Sequence, residues 1–251
     1  MNSFFTVVLD KLYRTNNREI DFDEIFQNKK GSITFINPYS YSILRKKKNR
    51  DAVDMVNCIF VDGILLVKIL KLIGVKTHRI SFDMTSLAPK LFKFCEDNDK
   101  TIYFVGTKQD ILEKSIENIK KEYTNLKIKG YRNGYFKTDK EKDLFQSELV
   151  SLNLDYLVVG MGTPLQERFI LEMKNKQYRG NAYTCGGFLH QSSSSLIYYP
   201  AWIDKFELRW FYRMFKEKEV RKRILIEYPL FLFKISFDLF IHYFCQKPFK
   251  N

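Results

Sequence analysis

Four places in the chain combine residue types and spacings that chemistry can use. Cys58-Ile59-Phe60-Val61 is a wholly apolar run ending in Asp62-Gly63. A carboxylate at the mouth of a buried strand can serve as a general base if it reaches a substrate hydroxyl, while a plain turn is the simpler reading. Tyr156 to Val159 is a second apolar run. It leads into Gly160-Met161-Gly162-Thr163-Pro164-Leu165-Gln166-Glu167. Two glycines let backbone approach a ligand, and the free N–H groups of a helix start favour an anion such as a phosphate. Pro164 fits the first helical turn, Thr163 can cap it, and Gln166 and Glu167 fall at the rim of the same crevice. The third is Asn37-Pro38, which closes another strand-like run. The fourth is Arg79 beside His78, either a surface pair or a fork of donors for a pyrophosphate.

Other chemistries find little support. The glycine pair is not a dinucleotide fingerprint, because the third glycine of that pattern falls on Leu165. That disfavours a dinucleotide-dependent oxidoreductase. His78, His190 and His242 have no partner at metal-ligand spacing. No DxD, HExxH or paired-cysteine pattern argues for a bound metal. The serines at 192–195 lack the context of a hydrolase nucleophile and read as a mobile loop.

The elements that must position these residues follow from periodicity. Strands are expected at Ser32 to Ile36, Cys58 to Val61, Thr101 to Val105, Leu126 to Lys129, Tyr156 to Val159 and Tyr183 to Cys185. Phe5 to Leu9 reads as a further strand or edge ribbon, broken by Asn16-Asn17. Helices are expected at Pro38 to Lys48, Ile64 to Ile73, Phe82 to Phe94, Gln109 to Tyr123, Lys140 to Leu152 and Pro164 to Asn175. The alternation predicts an α/β fold, a Rossmann-like, mostly parallel sheet with helices on both faces. Asn37, Asp62-Gly63, Gly106-Thr107, Gly130-Tyr131, Gly160/Gly162 and Gly186-Gly187 all fall just past a strand's carboxyl end. That edge is where open α/β sheets bind ligands.

The character changes after Pro200, which predicts a domain over residues 1–200 and a basic, amphipathic helical appendage over 201–251. Ile203 to Phe215 places Lys205, Arg209 and Arg213 on one helical stripe and Phe206, Trp210 and Met214 on the next. Lys216 to Arg223 adds more basic residues. From Pro229 to Cys245 an otherwise apolar helix carries one narrow polar stripe of Lys234, Asp238 and His242, with Glu227 two turns earlier. Such a pair of helices suits the plane of an anionic membrane interface, and packing back on the domain or on another subunit is the alternative. No run is long enough to read as a spanning helix.

Composition agrees. The 251 residues hold 42 Lys and Arg against 29 Asp and Glu, a net charge of +13. An excess of this size favours anionic partners: nucleotides, nucleic acid or lipid headgroups. Four scattered cysteines and an N-terminus without a basic leader fit a reduced, cytoplasmic setting.

Taken in order, these segments resemble the bacterial WecG/TagA/CpsF glycosyltransferases (glycosyltransferase family 26). The resemblance runs from about residue 30 to 225. It rests on Asn37, Asp62-Gly63, Tyr103-Phe104-Val105-Gly106, Gly130-Tyr131-Arg132-Asn133-Gly134-Tyr135-Phe136, the Gly160 to Glu167 block, and Pro200-Ala201-Trp202 through Arg209-Trp210-Phe211-Tyr212-Arg213 to Arg221 and Arg223. It implies an inverting transferase that moves a sugar from a UDP-sugar donor to a polyprenyl-diphosphate-linked sugar acceptor in cell-surface polysaccharide biosynthesis. The enzyme would act on the cytoplasmic membrane face, without cofactor or essential divalent metal and without a nucleic-acid partner, and a homo-oligomer stays open. The resemblance makes Asp62 the base. It assigns donor contacts to Asn37, Arg79, Tyr135, Gly160, Gly162 and Gln166, and contacts with the lipid diphosphate to Arg213, Arg221 and Arg223. The chain departs from the pattern at Phe35, where some members have Thr, and in the shortened Arg79-Ile80-Ser81-Phe82-Asp83 element. It also has Phe188-Leu189 and serines after the Gly-Gly turn, and Arg209 where Glu is usual. The rival reading is a basic, non-catalytic α/β protein that binds a nucleotide or nucleic acid.

Overall fold

A computed structural model describes residues 3–15, 20–27, 31–196, 198, 202–203, 208–216 and 218–245. Six strands form one sheet: β1 (Ser32–Ile36), β2 (Cys58–Val61), β3 (Thr101–Gly106), β4 (Lys127–Arg132), β5 (Tyr156–Gly160) and β6 (Asn181–Thr184). Their order is β2-β1-β6-β5-β3-β4, and every pairing is parallel. All six overlap the expected runs, with β6 starting at Asn181, two residues before the expected Tyr183, and ending at Thr184. β4 continues through Gly130-Tyr131 to Arg132 because it pairs with β3 along that length.

Alternation along the strands sorts side chains to the two faces. Ile33, Phe35, Phe60, Phe104, Val158 and Tyr183 face one core. That core is covered by α2 (Phe22–Gln27), α6 (Leu87–Asp97), α7 (Gln109–Glu122) and α10 (Phe188–Ser194). The opposite face holds two apolar clusters. One lies under α1 (Phe4–Lys11), α3 (Pro38–Leu44), α4 (Arg50–Asp54) and α5 (Ile64–Leu72). The other lies under α8 (Asp139–Ser151) and α9 (Leu165–Asn175).

The structure revises several expectations, and the helix expected over Pro38 to Lys48 ends at Leu44. Residues 4–11 are helical, not a strand: Phe4, Phe5, Val8 and Leu9 are buried at helical spacing, and Ser3 caps the helix by accepting from the Thr6 amide. Leu12-Tyr13 does form an edge ribbon, with the Tyr13 amide donating to the Ile59 carbonyl at 2.9 Å. The serine run is not a loop. It lies in α10, where Ser192 is buried and its hydroxyl meets Ser115 Oγ at 2.6 Å. The helix expected from Phe82 starts at Leu87, because Asp83 holds residues 83–85 in a tight turn.

The C-terminal region consists of α11 (Arg209–Lys216), α12 (Lys218–Lys222), a π-helical turn (Arg223–Glu227), α13 (Tyr228–Phe240) and a second π-helical turn (Ile241–Cys245). Pro200, Ala201, Lys205 and Phe206 lie outside the described residues. α13 docks on α1 and α3 with its polar stripe inward. Phe231 and Ile235 enter the core, and buried Asp238 accepts from Tyr41 Oη at 2.8 Å, Arg45 Nε at 2.6 Å and Arg45 Nη2 at 2.7 Å. His242 Nδ1 meets Thr6 Oγ1 at 3.0 Å. No described helix is long and apolar enough to cross a membrane.

Candidate active site

β1 and β2 run side by side, so Asn37 and Asp62 emerge together at the carboxyl edge, where the Asp62 amide donates to the Ile36 carbonyl at 2.8 Å. Gly63 makes the proximity tolerable: a Cβ there would stand 2.7 Å from Pro38 Cδ and 3.2 Å from Asn37 Cβ. Asn37 is the N-cap of α3. Its side chain accepts from the Ser40 amide at 3.0 Å, and Ser40 Oγ accepts from the Asn37 amide in return. Pro38 supplies the first helical position, where no N–H is needed.

Asp62 sits at the crevice mouth with 32% of its side chain exposed. Burial of its surroundings raises its carboxyl above the usual range, against the pull of Arg79, and Asp83 adds to the rise while Arg213 and Arg209 oppose it. Arg79 is held beside β2 by a one-residue parallel bridge to Val61. Its Nε donates to the Asp62 carbonyl at 3.2 Å, and its Nη2 donates to Ser81 Oγ at 2.9 Å and to Asp62 Oδ1 at 3.4 Å. This guanidinium therefore spends its fork on the site's own acid and backbone.

The glycine turn of β5 forms the facing wall. Gly106 has φ +147° and lies against Gly160, whose carbonyl also accepts the Thr107 amide at 3.1 Å. Gly134 packs on Met161 and Gly106, which places the exposed Tyr135 next to this turn. Arg132 holds that loop by stacking on Phe136, 4.2 Å from the ring centroid, and by donating to the Asn133 carbonyl at 3.2 Å. Gln166 is buried and ties two turns together: its Oε1 accepts the Gly186 amide at 3.2 Å.

Three local expectations change here, the first being that Gln166 is buried and not at the rim. Thr163 does not cap α9; its hydroxyl donates to Glu167 Oε1 at 3.1 Å, and the helix starts at Leu165 with Pro164 before it. Glu167 is not at the rim. It is fully buried beneath the turn, where Oε1 also accepts from Thr34 Oγ1 at 3.0 Å and Gln166 Nε2 at 3.0 Å. Thr34 in turn meets Thr184 at 3.0 Å, which makes a polar seam between the two apolar clusters. Burial raises the Glu167 carboxyl despite hydrogen bonds that favour its charged form.

The C-terminal helices close the third side. Arg213 Nη2 lies 3.9 Å from where a side chain on Gly187 would begin. Arg223 stacks over Tyr39, 4.3 Å from its ring centroid, just beyond Asn37-Pro38. Tyr228 is raised by burial and by Asp62, with Arg213 and Arg223 opposing, so these four groups share one electrostatic neighbourhood. Arg221 stays exposed on α12. Of the residues expected at the site, Asn37, Asp62, Arg79, Gly160, Gln166, Arg213 and Arg223 therefore converge on one strand edge. Tyr135 and Gly162 flank it.

Residues 7–243 match the glycosyl transferase WecG/TagA/CpsF family profile. This chain belongs to that family. The glycosyltransferase is 34% identical, over 86% of its length and 90% of the relative's, to the UDP-Gal:alpha-D-GlcNAc-diphosphoundecaprenol beta-1,4-galactosyltransferase of Shigella boydii. It is 26% identical to the N-acetylglucosaminyldiphosphoundecaprenol N-acetyl-beta-D-mannosaminyltransferase of Bacillus subtilis, over 77% of this chain and 74% of that one. A Staphylococcus aureus protein of the same description is 25% identical, with 74% and 71% covered.

Sequence reasoning about this transferase missed Asp83 as a site residue. The signal was there: Asp83-x-Thr85 is an Asx-turn pattern beside Arg79. Against the expectation of no DxD pattern, two Asp-x-Asp triplets do occur, Asp21-Phe22-Asp23 and Asp97-Asn98-Asp99. The first opens α2, and the second ends α6 and leads into the amino end of β3, so neither follows a strand into the crevice. Among the described residues, no group of three or more His, Cys, Asp or Glu is arranged to hold a metal ion.

Proposed function

We propose that this glycosyltransferase moves a sugar, with inversion, from a UDP-sugar to the sugar of a polyprenyl-diphosphate-linked acceptor at the cytoplasmic face of the membrane. The observation that carries the reading is the convergence of one carboxylate, Asp62, with glycine turns and arginines at a single strand edge. The relatives named above act on GlcNAc-diphosphoundecaprenol, and that is the acceptor class we assign. In this reading residues 1–200 hold the donor and residues 201–251 meet the lipid.

The UDP diphosphate lies against the Gly160–Gly162 turn, with Gln166 behind it and Tyr135 and Asn37 at its sides. Asp62 takes the proton of the acceptor hydroxyl as that oxygen attacks the anomeric carbon from the face opposite UDP. The departing diphosphate is stabilised by backbone N–H groups and arginine in place of a metal. Arg79 orients Asp62, and Arg213, Arg221 and Arg223 face the lipid diphosphate.

The appendage supports membrane docking. With its polar stripe turned inward, α13 and the turns beside it present Leu225, Phe233, Phe237, Phe240 and Phe244 to solvent. Arg45 stands 5.9 Å from the Phe237 ring centroid and is followed by exposed Lys46, Lys47 and Lys48. An apolar face with a basic rim suits an anionic leaflet.

The test is product analysis with a panel of UDP-sugars and a short-chain GlcNAc-diphosphate lipid, with EDTA present. Transfer is expected, and Asp62→Asn should abolish it while UDP-sugar binding persists. No transfer from any donor, or near wild-type transfer by the Asp62→Asn protein, would overturn the reading.

A further inference from the structure

Arg209 and Asp83 are 126 positions apart in sequence, yet their side chains are 12% and 13% exposed and meet at 2.7 Å, Nη1 to Oδ2. The second guanidinium nitrogen of Arg209 reaches Thr85 Oγ1. The carboxylate is also held from its own side of the crevice. Ser81 Oγ donates to its Oδ2 at 2.6 Å, while the Thr85 amide and hydroxyl donate to its Oδ1 at 2.9 and 2.6 Å. One arm of the guanidinium on the carboxylate and the other on the neighbouring hydroxyl make a charge-assisted, directional contact.

We propose that Asp83 and Arg209 are positioning residues for transfer: their ion pair seats α11 across the crevice and so sets Arg213 against Asp62 and the Gly186-Gly187 turn. The inference rests on the function proposed above. Two features carry it. Arg213 follows Arg209 by four residues and therefore shares its helix face. With Arg209 pinned at the 83–85 turn, that face brings Arg213 to 3.9 Å from the Gly187 Cβ direction. The second feature is a row of alternating charge. Asp83 Oδ2 is 3.5 Å from Arg79 Nη2, which is 3.4 Å from Asp62 Oδ1. Arg209 supplies Asp83 with its own cation, which leaves Arg79 to Asp62. Without Arg209, the nearly buried Asp83 would compete for Arg79, because a carboxylate in that place must find a positive partner. Neither residue of the pair touches the reacting atoms.

The test uses the full-length protein with Arg209→Ala, Arg209→Lys, Asp83→Asn, Arg213→Ala and the double variant Arg209→Ala/Arg213→Ala. Steady-state kinetics for donor and acceptor are read beside amide hydrogen exchange. Arg209→Ala should lower kcat by about tenfold to a hundredfold with the UDP-sugar KM changed less than about twofold, and Arg209→Lys should recover part of the loss. Amides of residues 209–216 should exchange faster in Arg209→Ala and Asp83→Asn, while those of the sheet stay as in the wild type. The double variant should be slower than Arg213→Ala alone by clearly less than the factor Arg209→Ala costs by itself, because Arg209 acts largely through Arg213. The proposal is overturned by unchanged exchange in α11, by a kcat within about twofold of wild type, by equal loss in donor KM and kcat, or by additive losses in the double variant. If the wild type transfers no sugar, the functional reading fails by itself. Exchange then decides the clasp: faster exchange of α11 in both Arg209→Ala and Asp83→Asn upholds it, and wild-type exchange in either sinks it.

Discussion

Gly106 and Gly160 lie back to back at the carboxyl edge of the sheet: a Cβ on Gly106 would stand 2.3 Å from the Gly160 carbonyl oxygen and 2.8 Å from its Cα. At φ +147° no L side chain is at ease either. The contact holds the ends of β3 and β5 together directly under the turn assigned to the donor diphosphate. Gly106→Ala should therefore destabilise the fold by about 3 kcal/mol or more and weaken UDP binding in whatever folds. Denaturant melts and UDP titration would check both, and a variant with wild-type stability would remove the case for this packing.

The seat of α13 rests on Asp238. Removing that carboxylate leaves Arg45 and Tyr41 without their shared acceptor in a mostly buried place. We expect Asp238→Ala to cost about 3 kcal/mol, with Asp238→Asn less damaging because one acceptor oxygen remains. Chemical denaturation of the full chain measures the loss. Protease sensitivity should rise first around residues 228–245.

The outward face of α13 and its flanking turns is the membrane contact proposed above. Phe233 is 76% and Phe244 73% exposed, so changing either to Asp should leave the melting curve near wild type. Each change should weaken binding to anionic vesicles by about tenfold or more, the scale expected for withdrawing one aromatic side chain from the interface. Sedimentation with vesicles reads this directly. Wild-type binding by the double variant would argue against the face as the membrane contact.

Acid should silence transfer through Asp62. A base works only when ionised, and burial raises its carboxyl while Arg79, Arg213 and Arg209 restrain the rise. Activity therefore falls as the pH drops through this raised value. Arg79→Gln withdraws a cation, so the acid limb of kcat/KM should move to higher pH. Asp83 behaves oppositely. Burial alone would raise it, but Arg209, Ser81, Thr85 and Arg79 together hold it below the usual carboxylate range. Its contribution to stability is present above its unfolded pKa of about 3.9 and is lost as the pH falls through the lower folded value. A pH series of α11 hydrogen exchange should show loosening only in strongly acidic solution.

Cys58, Cys95 and Cys185 are buried and not in disulfides, and burial pushes Cys95 and Cys185 far above the ordinary thiol range. Thiolate is the reactive form, so these three should resist alkylation in the native state and react on unfolding. Mass mapping after a short alkylation pulse checks this.

The sequence by itself determined the sheet and the place of the site on it. Strand runs, glycine turns and helix caps are local demands of backbone sterics and side-chain period, and each is legible within about ten residues. That Asn37, Asp62 and Gly160 share one edge could be read that way, because parallel strands deliver everything at their carboxyl ends to one side of the sheet. The helix at residues 4–11 was misread because a short apolar run serves either period. What only the tertiary structure decided are relationships between distant positions. The stripe of Lys234, Asp238 and His242 looks the same in sequence whether it faces water or protein. The partners Arg45, Tyr41 and Thr6, nearly 200 or more positions away, turn it inward and leave the aromatic face outside. Glu167 reads as a rim residue until Thr34 and Thr163 are seen to bury it. Arg209 is one basic residue on a basic helix until Asp83 meets it across the crevice. A charge pattern specifies that a partner is required, and only the packed chain specifies which one.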